Sequence, residues 1–190
     1  IASNLLTIDY IVREEAGELF DYPEDLIPHN SRDFSDADRE TLMKAKMIVR
    51  ARLSQSTRTG RESIVFIIRF VEALRSVSGG VVQDAVSHTL WGTDPWRRCV
   101  ENPRKKIMER QLQWEILDEG GRLWIHTHGM LKFGLPDIEM DGLPAEAAGL
   151  GRKLMIMAAE RLVRQRGKEL RVGTPINLPG TPFAFTAEIR

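Results

Sequence analysis

Residues 124–139 read Trp-Ile-His-Thr-His-Gly-Met-Leu-Lys-Phe-Gly-Leu-Pro-Asp-Ile-Glu, a run dense in groups that can bind or react. On an extended backbone the side-chain period of two places Trp124, His126 and His128 on one face and Leu123, Ile125 and Thr127 on the other. Two imidazoles at i and i+2, joined by a carboxylate, form a donor set that zinc or iron accepts while a coordination position stays open for water. That chemistry would make the chain a metal-dependent hydrolase using His126, His128 and Asp137 or Glu139. The spacing equally serves the commoner arrangement, in which one histidine hydrogen-bonds a loop carbonyl and the other is half exposed. The latter is preferred, because the sequence fixes no further ligand, and so no cofactor is expected. Lys132-Phe-Gly-Leu-Pro-Asp137 also reads two ways. It is either a ligand-contacting loop, with Gly134 permitting close backbone approach, or a turn leading to the next helix.

A strand carrying such residues needs a partner. Leu112–Leu117 alternates in the same manner and is joined to Arg122–His128 by Asp118-Glu-Gly-Gly121, which predicts a hairpin. A turn over 118–121 sets Leu117 opposite Arg122, Glu115 opposite Trp124 and Gln113 opposite His126, with Glu115 diagonal to His126. Leu112, Trp114, Ile116, Leu123 and Ile125 then form the core face, and Gln111, Gln113, Glu115, Trp124, His126 and His128 the other. Glu115, Trp124, His126, His128, Lys132, Asp137 and Glu139 are the candidate ligand-binding residues.

The elements around this hairpin follow from periodicity. Residues 1–40 read as an N-terminal arm with a short helix, acidic over Tyr10–Asp38 and started by Ser35 or Asp36 as N-cap; residues 41–190 read as a single domain. Met47–Leu53 alternates as a strand. Thr59-Gly-Arg-Glu62 has capping-box spacing before a helix over 62–78 that Gly79-Gly80 ends. Val81–Asp84 and His88–Trp91 are strand-like, and 96–110 is helical in part. The longest helix spans 145–166, and Phe183–Ile189 alternates as a last strand. This order matches an α+β, ferredoxin-like (split βαβ) arrangement, an antiparallel sheet with two helices on one face.

Composition narrows the function classes. The 190 residues carry 27 basic and 27 acidic side chains, so no overall field favours nucleic acid or an anionic membrane surface. The longest apolar run, Ile64–Ile68, is too short to span a bilayer, and a cytoplasmic location is expected. Cys99 is the single cysteine and reads as a small apolar residue, which excludes an internal disulfide. Trp91 and Trp96 read as packed, and Arg50, Arg52, Arg58 and Arg61 as solvated edge charges. No phosphate-binding loop, nucleophile elbow or HExxH occurs.

Two stretches carry a likeness. Gly79-Gly-Val-Val-Gln-Asp84 and His126-Thr-His-Gly-Met-Leu-Lys-Phe-Gly-Leu-Pro-Asp-Ile-Glu139 resemble bacterial domains of unknown function. In those domains a His-Gly or Thr-x-Gly-Met run precedes Phe-Gly-x-Pro-Asp/Glu-x-Glu. The resemblance covers roughly residues 40–190 and implies a fold relationship without any catalytic residue. The expected function is that of a binding or protein-interaction module for a protein or small-molecule partner, with its contact surface around His126–Glu139.

Overall fold

The structure, a computed structural model, describes residues 4–55, 60–164, 175–177, 180 and 184–186. The strands are β1 (Asn4–Val12), β2 (Ser31–Arg32), β3 (Met47–Gln55), β4 (Val82–Asp84), β5 (Thr89–Trp91), β6 (Gln113–Asp118), β7 (Arg122–His128), β8 (Glu139–Pro144), β9 (Pro175–Asn177) and β10 (Ala184–Thr186). The helices are α1 (Ile27–Asn30), α2 (Asp36–Met43), α3 (Arg61–Ser78), α4 (Thr93–Glu101), α5 (Ile107–Gln111) and α6 (Ala148–Arg164). The class is α+β. The described strands join in four separate sheets, β1-β3, β2-β5-β4, β6-β7-β8 and β9-β10, where the element order had suggested one. Only β10 of the expected last strand is described; Phe183 and 187–189 lie outside the described residues. No described helix is long and apolar enough to cross a membrane.

The chain divides into two compact units, Ile1–Ile107 and Met108–Arg190, where the sequence had suggested a boundary near residue 40. In the first unit, β1, within the segment expected as an N-terminal arm, is a paired strand. Its nine residues pair antiparallel with β3, from Asn4 opposite Gln55 to Val12 opposite Met47. The cause is local: Leu6, Ile8, Tyr10 and Val12 alternate, and after Asp9 the acidic residues of the segment cluster only from Glu14 onward. Ser35 caps α2 in a full capping box with Asp38. The second carboxylate oxygen of Asp38 accepts from Thr93 Oγ1 at 2.5 Å and Thr93 N at 3.2 Å, so one buried side chain fastens the starts of both α2 and α4. Thr59 lies outside the described residues, and the N-cap of α3 is Gly60, with no side-chain hydrogen bond. Glu72 joins α3 to α4, taking two bonds from Arg75 at 2.8 and 3.0 Å and one from Trp96 Nε1 at 2.6 Å. Trp91 and Trp96 are buried and meet edge to face, as a packed pair should, and Cys99 on α4 is fully buried.

The second unit positions the candidate site. The strands β6, β7 and β8 form an antiparallel sheet with β7 central, and α6 covers one face. Leu123 and Ile125 of β7 pack with Met155 of α6, and Trp114, Ile138, Met140, Leu143 and Ala148 close around them. The helix approaches this sheet closely at Gly151, where a Cβ would lie 2.5 Å from Leu143 Cδ1 and 2.7 Å from Ile125 Cδ1. The expected core face is correct for Leu112, Trp114, Leu123 and Ile125, but Ile116, on the edge strand, is 41% exposed.

Candidate functional site

The central strand builds the site by alternation. Leu123, Ile125 and Thr127 are buried on the α6 side, which leaves Trp124, His126 and His128 half-buried in a row on the opposite face. The indole of Trp124 stacks on the His126 ring at 5.1 Å and 23°. The His126 and His128 rings meet at 4.7 Å and 66°.

Each flanking strand adds one carboxylate to this row. Glu115 lies directly opposite His126, and its Oε2 is 3.2 Å from His128 Nε2. A carboxylate can only accept, so this bond places a proton on Nε2 of His128. Glu139 flanks His126 on the other side, with its Oε2 accepting from Trp124 Nε1 at 3.1 Å and lying 3.8 Å from His126 Nδ1. That Nδ1 is buried and makes no hydrogen bond among the described residues. The arrangement is a strip of three rings held between two carboxylates.

The hairpin register differs from the expected one by two residues: Glu115 pairs with His126 and Gln113 with His128, instead of Trp124 and His126. The turn is set one position later, over 119–122, closed by Glu119 N to Arg122 O at 2.7 Å, while Asp118 caps Gly121 N. A shift of two leaves the side chains of the two strands on their assigned faces, so Gln113, Glu115, Trp124, His126 and His128 keep the polar face, whereas Gln111 ends α5 and is buried. The strand β8, absent from the sequence reading, brings Glu139 beside His126. Its trace in the sequence is the short alternation Ile138-Glu-Met-Asp141, which a loop-like Gly-Leu-Pro-Asp precedes. A bulge between Leu123 and Ile125 interrupts the pairing of β7 with β8.

Asp137 does not join the histidines. Its Oδ1 accepts from Thr127 Oγ1 at 3.1 Å and from Met130 N at 3.0 Å, so it ties the turn to the buried side of β7. The set His126, His128 and Asp137 is therefore not assembled as a ligand triad, and no group of three metal-ligating side chains gathers among the described residues. The Lys132–Asp137 stretch is mainly an anchor. Met130, Phe133 and Leu135 are buried, and Gly129 and Gly134 bracket the turn in the left-handed region. Lys132 reaches Gln111 Oε1 at 3.4 Å.

Of the seven candidates, Glu115, Trp124, His126, His128 and Glu139 thus share one face, while Asp137 belongs to the scaffold and Lys132 to the adjoining turn. No family model, curated protein or solved structure matches this chain.

Proposed function

We propose that the chain is a binding module whose contact surface is the face of the β6-β7-β8 sheet opposite α6, and that this face takes a cationic group such as an arginine or lysine side chain of a protein partner. The observation that carries this reading is the ring strip Trp124-His126-His128 set between Glu115 and Glu139. Aromatic faces attract a desolvated cation through their quadrupoles, and two carboxylates supply the opposite charge and the acceptors a guanidinium requires. The half-buried state of the rings lowers the local dielectric and strengthens both terms.

Titration of the full chain with acetyl-arginine amide, followed through the imidazole proton resonances, tests this. Acetyl-norleucine amide is the uncharged control. The arginine compound is expected to shift the His126 and His128 signals, and Glu115→Gln with Glu139→Gln together should abolish the shift while leaving the thermal transition in place. Equal response to both compounds, or none to either, would overturn the proposal.

A further inference from the structure

The first unit carries a concave surface of its own. Along α3, Glu62, Val65, Phe66, Arg69 and Phe70 recur at intervals of three, four, seven and eight, so they form one stripe of the helix, and Arg104 closes its side. Together they line an open groove of about 370 Å³. That volume is within the range of small-molecule sites.

The groove is unusual in what it leaves uncovered. The rings of Phe66 and Phe70 lie nearly parallel at 6.1 Å and 18°, and Phe66 is 48% exposed although its groove neighbour Val65 is buried, as are Ile64 and Ile68 elsewhere on α3. A stacked aromatic pair open to water is a platform for a further flat apolar body. Its rim holds two guanidinium groups and one carboxylate, a net charge of one positive. Arg104 spends one N–H on Glu62 at 2.5 Å, which leaves the rest of its fork of donors. Arg69 makes no hydrogen bond or close ion pair among the described residues, and its charge acts on Glu62 from a distance. An apolar floor beside an uncommitted guanidinium complements a molecule that is flat and apolar at one end and anionic at the other.

We propose that this groove binds a small aromatic carboxylate, its ring against Phe66 and Phe70 and its carboxylate on Arg69, with Arg104 as the second donor. The cation-binding reading of the other unit plays no part in this inference.

The test titrates isotope-labelled full chain with indole-3-acetate, with indole and acetate as separate controls. Indole-3-acetate is expected to move the Phe66, Phe70, Arg69 and Arg104 signals at concentrations where neither control does. Arg69→Gln should weaken binding about 10-fold or more, the loss expected for one charge-assisted hydrogen bond, and Phe66→Ala should weaken it as well. Both side chains are exposed, so unchanged thermal unfolding of each variant separates lost binding from lost fold. Indifference to Arg69→Gln, equal binding of indole, or shifts confined to other residues would overturn the site. So would concentration-dependent dimerisation abolished by Phe66→Ala, which would make the exposed ring pair a self-association surface instead.

Discussion

Asp38 and Thr127 are the buried polar residues on which each unit's geometry depends, and neither belongs to a candidate site. Burial alone would raise the Asp38 carboxyl, but the bonds from Thr93 and Ser35 outweigh that cost and hold it below the ordinary carboxylate value of 3.8. A folded-state value below the unfolded one contributes stability that is complete above the unfolded value and is lost as the pH falls through the folded one. Denaturant titrations should therefore show Asp38→Asn weakening the protein by about 1 to 3 kcal/mol at neutral pH and flattening its loss of stability below about pH 4. An unchanged acid limb would assign that loss to other carboxylates, Glu72 first, since Arg75 and then Trp96 hold it low against burial. Thr127 is fully buried, and its hydroxyl donates to Asp137 while accepting from Ile138 N at 3.0 Å. Thr127→Val keeps the shape, removes both bonds and should cost about 1 to 3 kcal/mol in the same titration, well above His128→Ala. Comparable losses would mean that the turn does not depend on this hydroxyl. From sequence, Ser35 was readable as a cap because its partner stands three residues away. The Asp38–Thr93 bond spans 55 residues and leaves no local pattern.

At the level of elements, packing decides which glycines of α6 are replaceable. Gly149 has open space where a Cβ would go, whereas Gly151 is pressed against Leu143 and Ile125. Gly149→Ala should be neutral or stabilise by up to about 1 kcal/mol through helix propensity. Gly151→Leu should cost about 1 to 3 kcal/mol by forcing the helix off the sheet. Matching effects in thermal unfolding would contradict the described approach of α6. The helices expected over 62–78 and 145–166, found as α3 and as α6 from Ala148 to Arg164 with 165–166 outside the described residues, and the strands of the hairpin were legible because each runs long enough for its period to show. The strand β8 was not, since its six residues contain Gly142 and Pro144 and a bulge breaks their alternation. That omission hid Glu139's place beside His126, while the face of the histidines themselves was already evident. The expected single sheet failed for a different reason: element order does not specify which strands pair, and β3 found its partner in a segment that acidic neighbours had disguised.

For the whole molecule, each unit holds two of the four tryptophans, Trp91 and Trp96 in the first and Trp114 and Trp124 in the second. Chains carrying Trp91→Phe with Trp96→Phe, or Trp114→Phe with Trp124→Phe, convert intrinsic fluorescence into a reporter of one unit at a time. Because each unit is compact by itself, the two reporters are expected to give different urea midpoints. Coincident transitions from both would show a single cooperative block. The balanced charge adds no net field to either result, although it places minimum solubility close to neutrality.

The buried thiol of Cys99 gives the first unit a chemical clock. As the chain's single cysteine, with no exposed surface, it can react with a disulfide reagent only during moments when α4 lifts from its surroundings. The slow colour change of such a reagent at rising concentration would then separate two regimes, one limited by labelling and one by the opening itself. From these, both the frequency of opening and the population of the opened form could be read in unmodified protein, without a denaturant, an introduced probe or any knowledge of what the chain binds.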